Sequence, residues 1–245
     1  MYNFDKKILF LTICIGEEYV NRSIMLIQSI CKFTSSRLKI YTDFPERFIE
    51  LKNFYGDQML IIDIKYDNYK KEINQIFNYH LKYIPFFDSI EDPEQSLFYI
   101  DCDSFLFGWD KGYSRYVSGQ ENCLIRRCRE NLSSCESLKN LLEIKQEDYI
   151  KSESNIILNN INQPLILENA FIINKGFEAI NFIKKWKEIS DFAISNEIYP
   201  FLEAVEIAIA LNETNLTVLN LDSKMPMIDS LRTLHYDKII STWII

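Results

Sequence analysis

Over roughly its first hundred residues the chain alternates short, nearly continuous apolar runs with stretches whose apolar residues recur at helical spacing. The run KILFLTIC (7–14) predicts a buried strand, and YVNRSIMLIQSICKF (19–33) a helix with Val20, Ile24, Ile27 and Cys31 on one side. LKIYTD (38–43) reads as a second strand, and Pro45 opens a short helix through PERFIELKNF. MLIIDIKY (59–66) gives a third strand, YKKEINQIFNYHLKYI (69–84) a second long helix, and SLFYIDCDSFLF (96–107) a fourth strand. Strands alternating with helices at this rhythm imply right-handed crossovers and a mostly parallel sheet covered on both faces, an α/β fold.

The stretch from about Gly108 to Pro164 is less regular and more polar, holding GWDKGYSRYVSG, the basic RRCR and KSESNIILNNINQP, and reads as cleft loops or decoration of the fold. Regularity returns with LILENAFIINK (165–175) as a strand and GFEAINFIKKWKEISDFA as a helix, Phe177, Ile180, Ile183 and Trp186 facing inward. PFLEAVEIAIALN (200–212) is another helix, LTVLNLD (216–222) a strand and RTLHYD (232–237) a last extended piece. With no internal repeat and no linker, the expectation is one domain over 1–245 with halves at 1–107 and 108–245.

Composition narrows the classes. At 245 residues with 47% hydrophobic and 14% aromatic residues, the chain can bury a sizeable core and is not disordered. Its 35 acidic against 27 basic residues, net −8, would repel a polyphosphate backbone, so nucleic acid is not an expected partner. No apolar run approaches the ~20 residues of a membrane helix, and the opening MYNFDKKILFLTIC lacks a signal peptide's long apolar stretch, so the expectation is a cytoplasmic protein. Cys123, Cys128 and Cys135 cluster, yet without a CxxC pair or a neighbouring histidine the six cysteines read as reduced thiols.

The chemistry concentrates at Asp101 and Asp103, which interrupt the apolar fourth strand two residues apart. At the carboxyl end of a parallel strand such residues line the ligand crevice; they share a face if the strand persists and fan around one point if it ends. Two anions so close repel and lose hydration unless a cation neutralises them. Mn²⁺ or Mg²⁺, bound by carboxylate oxygens and by a bound diphosphate, would do so and would stabilise a diphosphate leaving group. The plainer alternative is that both cap backbone N–H groups at a strand-to-loop turn.

The segment LFYIDCD, preceded by this βαβα prelude, resembles the hhhhDxD of the metal-dependent nucleotide-sugar glycosyltransferases of the GT-A fold. That resemblance implies a nucleotide diphosphate-sugar donor, a glycan or lipid-linked acceptor, and a metal held directly by Asp103, with Asp101 touching the metal or the ribose. It implies further that Thr12, Tyr41 and Asp43 lie near the base or ribose and that Lys82 in YHLKY takes the basic position of a donor-reaching helix. LENAFIINK is similar to the family's strand after the DxD, with Glu168 and Asn169 as the sugar and acceptor contacts and Ala170 where a glycine is usual. Glu203 and Glu206, three apart on one helix, would present acids toward the acceptor or form a solvated stripe. His235 stands where relatives supply a third metal ligand, although the glycine and lysine that follow it in the family are out of register here, HYDKII offering only Lys238. A lipid-linked acceptor is compatible with peripheral association at the inner face of a membrane.

His80 reads as a polar neighbour of the DxD strand, Trp109 and Tyr113 as core or as a sugar-stacking pair, and RRCR as charge balance. Competing readings are a non-catalytic nucleotide-sugar binder of the same fold and, less well matched, a haloacid dehalogenase-like phosphatase. The latter family places its DxD on the first strand and needs a later aspartate pair, whereas here the motif comes fourth and no such pair follows. A Y-family polymerase fits the acidic composition poorly.

Overall fold

A computed structural model describes residues 7–64, 81–106, 123–126, 128–131, 164–166, 169–195, 203–220 and 228–230. The strands are β1 (Ile8–Cys14), β2 (Arg37–Thr42), β3 (Met59–Asp63), β4 (Ser96–Ile100), β5 (Ser104–Leu106), β6 (Cys123–Arg126), β7 (Cys128–Asn131), β8 (Pro164–Ile166), β9 (Ala170–Asn174), β10 (Thr217–Asn220) and β11 (Ile228–Ser230). The helices among these residues are α1 (Glu17–Phe33), α2 (Ile49–Tyr55), α3 (Tyr83–Asp88), α4 (Phe177–Ser195) and α5 (Glu203–Thr214).

Seven strands form one sheet in the order β10-β6-β9-β4-β1-β2-β3. β1 pairs in parallel with β2 and β4, β2 with β3, and β6 with β10. The sheet is thus the mostly parallel one that the alternation predicts. β9 departs from that rule: it runs antiparallel to both β4 and β6. Its insertion places Asn169, at the start of β9, beside the carboxyl end of β4, where the Asp101 N–H donates to the Asn169 carbonyl at 2.8 Å.

Both faces of the sheet are buried. Leu9, Leu11, Leu97, Tyr99, Phe171 and Ile173 pack against α3, α4 and α5, while Ile8, Phe10, Phe98, Ile100 and Ile172 pack against α1. Burial on both faces explains why the strands read as continuous apolar runs instead of alternating ones. Helix α1 starts at Gly16, whose φ of 91° lies in the left-handed region, and carries Glu17 and Glu18 in its first turn and Lys32 in its last, complementing the helix dipole.

Several expectations are corrected. The fourth strand does not run to 107: it stops at Ile100, Asp101–Ser104 forms a turn closed by Ser104 N–H to the Asp101 carbonyl at 3.0 Å, and β5 leaves to pair with β11. Phe177 is 75% exposed, and the inward residues of α4 are Ala179, Phe182, Ile183, Trp186 and Ile189. The reading of 108–164 as loops missed β6, which sits inside the central sheet. Of the helix expected over 69–84, residues 69–80 lie outside the described set, and α3 begins only at Tyr83. The extended piece at 232–237 also lies outside it.

Candidate active site

The carboxyl edge of the sheet gathers several of the residues that the sequence singled out. Parallel pairing brings the ends of β1, β2 and β4 to one edge, and antiparallel pairing brings the start of β9 there too. Gly16 N–H donates to Asp43 Oδ1 at 3.0 Å, so Asp43 ties the end of β2 to the entry of α1. Thr12 is fully buried, and its hydroxyl oxygen has no hydrogen-bond partner among the described residues. Tyr41 lies elsewhere: its hydroxyl donates to Asp88 at 2.6 Å, within a polar cluster formed by Lys39, Ser89 and Asp92. There Lys39 meets Asp88 at 3.3 Å and Asp92 at 2.5 Å, and Arg37 bridges Asp92 and Glu94, so the 88–94 loop is clamped to β2.

The centre of the edge is an ion triad. Lys82 Nζ lies 2.9 Å from Asp101 Oδ1 and 2.5 Å from Glu203 Oε1, with its side chain 10% exposed. The Tyr99 hydroxyl donates to the same Asp101 oxygen at 3.0 Å, and the Lys82 ammonium also lies 5.6 Å from the Tyr99 ring centroid. Strand alternation explains the last contact, because Tyr99 and Asp101 project to the same side of β4. A buried ammonium between two carboxylates offsets its desolvation only while both partners remain; removing one leaves an uncompensated charge.

Electrostatics follow from that burial. Desolvation pushes the Glu203 carboxyl above the ordinary carboxylate range, Lys82 draws it back down, and Asp101 adds a smaller push upward. Burial raises the Tyr99 phenol and the Cys102 thiol well above their usual values, with Asp101 reinforcing both shifts. Glu203 Oε2 is buried without a hydrogen-bond partner among the described residues. Glu206, one turn on, is fully buried and accepts from Trp186 Nε1 at 3.2 Å and from Ser190 at 2.6 Å. Neither glutamate belongs to a solvated stripe.

Asp103 is 6% exposed at the turn after β4, and Asn169 is exposed at the start of β9. The strand ends before the pair, so the two aspartates sit in a turn and not on one face of a continuing strand. The contacts of Tyr99, Trp186 and Ser190 with these carboxylates were not anticipated; for Tyr99 the available signal was its place two residues before Asp101. Glu168, His235, His80, Trp109, Tyr113 and the central part of RRCR lie outside the described residues.

The donor set suits a hard divalent cation in kind. Asp101 Oδ1 is taken by Lys82 and Tyr99, which leaves Oδ2 as the oxygen that Asp101 could offer a cation. Among the described residues no group of three or more His, Cys, Asp and Glu could hold a metal. A bound diphosphate, water or residues beyond the described set would have to complete the shell.

Comparison with solved structures decides the fold. The chain resembles the glycosyltransferase GlyE of Streptococcus pneumoniae TIGR4 at 14% identity and TM-score 0.50, over 89% of this chain and 46% of that one. An active-site mutant of LgtC matches at 11% identity and TM-score 0.52, over 88% and 73%. WbbM, a bifunctional glycosyltransferase, matches at 10% identity and TM-score 0.50, over 89% and 39%. This chain has the GT-A glycosyltransferase fold. No family model and no curated protein matches its sequence. The chain spans less than half the length of GlyE and of WbbM. Within the GT-A frame the edge that carries Asp101 and Asp103 is the one where open α/β sheets bind ligands. Among the described residues no helix is long and apolar enough to cross a membrane.

Proposed function

We propose that the chain is a glycosyltransferase that moves a sugar from a nucleotide diphosphate-sugar donor to a glycan or lipid-linked acceptor. The observation that carries this reading is the Asp101–Ser104 turn at the carboxyl edge of β4, which holds Asp101 against the Lys82 ammonium and carries Asp103 two residues on, in a glycosyltransferase fold. Asp103 would be the principal metal ligand, Asp101 would offer its remaining oxygen, and His235 would be the further ligand. A divalent cation held there would supply positive charge to the departing diphosphate.

In the transfer, the acceptor oxygen bonds to the anomeric carbon as the bond to the diphosphate breaks. The electron pair stays on the diphosphate, and the hydroxyl proton passes to it or to solvent. Asp43 would line the nucleotide end of the cleft and Asn169 the acceptor side, with Glu168 as the further acceptor contact proposed. Lys82, next to the DxD turn, adds positive charge where the diphosphate would sit. A lipid-linked acceptor would bring the chain to a membrane surface.

A second reading is favoured by one observation: Lys82 already neutralises Asp101, which relieves the repulsion that would otherwise demand a metal. A binding protein without turnover would tolerate that arrangement. Incubating the protein with a panel of nucleotide sugars, with and without Mn²⁺, separates the two. Release of nucleoside diphosphate that needs Mn²⁺ supports the transferase; donor binding without release supports the binder; no interaction with any donor overturns both.

A further inference from the structure

The position of Lys82 has a consequence for the cation. An ammonium 2.9 Å from Asp101 Oδ1 occupies the ground that a divalent ion on Asp101 would share, and it is held there from behind by Glu203 at 2.5 Å. The tether is rigid: Glu203 is almost fully buried at the start of α5, and Lys82 lies against the Tyr99 ring. Two carboxylates face one ammonium, so the lysine is shared, and each carboxylate weakens its hold on the other.

We propose that Lys82 is the resting counter-ion of the DxD turn, competing with the divalent cation for Asp101, and that Glu203 is a positioning residue that sets the strength of that competition. This rests on the donor reading above. Without a donor, the ammonium makes Asp101 a poor metal ligand. A diphosphate entering the cleft gives the ammonium a third anion to face, which weakens its hold on Asp101 and makes that carboxylate a better metal ligand, so metal and donor bind cooperatively. Glu203 keeps the lysine from leaving during the exchange and draws part of its charge away from Asp101.

The test measures Mn²⁺ affinity by the electron paramagnetic resonance of free Mn²⁺, with and without a nucleoside diphosphate, on the folded protein. A neighbouring charge shifts a carboxylate's proton affinity by about tenfold or more, and a divalent ion feels the same charge at least as strongly. Lys82→Met should therefore bind Mn²⁺ roughly tenfold or more tightly in the absence of nucleotide, while its nucleoside diphosphate affinity falls. In Glu203→Gln, a near-isosteric change, the ammonium leans wholly on Asp101, and Mn²⁺ affinity without nucleotide should fall about threefold or more. A lysine that only supports packing would lower both affinities together or change neither.

Unchanged or weakened Mn²⁺ binding in Lys82→Met, or unchanged binding in Glu203→Gln should the lysine variant not fold, overturns the proposal. If the wild type binds nucleoside diphosphate while the variants leave Mn²⁺ affinity unchanged, the competition fails and the donor reading stands. If the wild type binds neither nucleotide nor Mn²⁺ and Lys82→Met gains no Mn²⁺ site, the donor reading fails and takes the inference with it.

Discussion

At the scale of single residues, the two aspartates of the turn sit in different surroundings, and the proposed function gives them different tasks. Asp101 gives one oxygen to Lys82 and Tyr99, and its main-chain N–H is pinned by Asn169, so it is fixed in place before any ligand arrives. Asp103→Asn keeps the size of the side chain and removes a charged donor. It should cut metal-dependent donor cleavage on the order of a hundredfold or more, measured as nucleoside diphosphate release at saturating Mn²⁺, with the melting temperature little changed. A variant with full metal-dependent release would remove Asp103 from the metal site. Cysteine chemistry at this scale is quiet: burial pushes Cys14 up to about 12 and Cys102 well above its usual value, so both stay protonated near neutral pH. In the native protein both should resist a thiol-specific reagent and react only on unfolding, read peptide by peptide in a mass spectrometer. Fast native labelling of Cys102 would mean that the turn opens.

At the scale of elements, α4 and α5 are joined by a buried polar contact inside an aromatic cluster. Trp186 packs with Phe86, Phe171 and Phe182, and its ring N–H reaches Glu206. Trp186→Phe preserves much of that packing and removes a donor to a fully buried carboxylate. It should cost about 1–3 kcal/mol, seen as a lower urea midpoint; an unchanged midpoint would show that other donors suffice for Glu206. This contact also marks where sequence patterns stop informing. Continuous apolar runs made β1, β2, β3 and β4 legible because both faces of the sheet are buried, and helical spacing made α1 visible for a similar reason. The end of β4 was not legible, since SLFYIDCDSFLF is apolar on both sides of the turn and only the hydrogen bonds of Asp101 show where pairing ceases. The inward turn of Glu203 and Glu206 was not legible either: an acidic pair on a helix looks the same whether it meets water or a lysine from a distant segment. β6 was hidden for another reason, because CLIR is four residues long and runs straight into arginines. The opposite running sense of β9 depends on which neighbours it pairs with, and local composition carries no record of that.

For the whole molecule, the fold brings ligand binding and stability together, because the candidate site joins segments far apart in the chain. Asp101 follows β4, Lys82 precedes α3, Glu203 opens α5 and Asn169 leads into β9, so a ligand on this edge would bridge elements that unfolding separates. A donor bound to the native state alone, at about a hundred times its dissociation constant, stabilises by roughly 2.7 kcal/mol. For a chain of this size that corresponds to a rise of about 5–10 °C in melting temperature. Mn²⁺ alone should shift the melt little, because Lys82 already balances Asp101, and the donor with Mn²⁺ should exceed the sum of the two separate shifts. Thermal melts with each nucleotide sugar, Mn²⁺ and their combination measure this directly. A synergistic shift for one donor would identify the base and sugar and support a shared diphosphate and metal site at the turn. Shifts that merely add would place the two ligands at independent positions, and the DxD turn would then be a structural ion triad and not the centre of transfer.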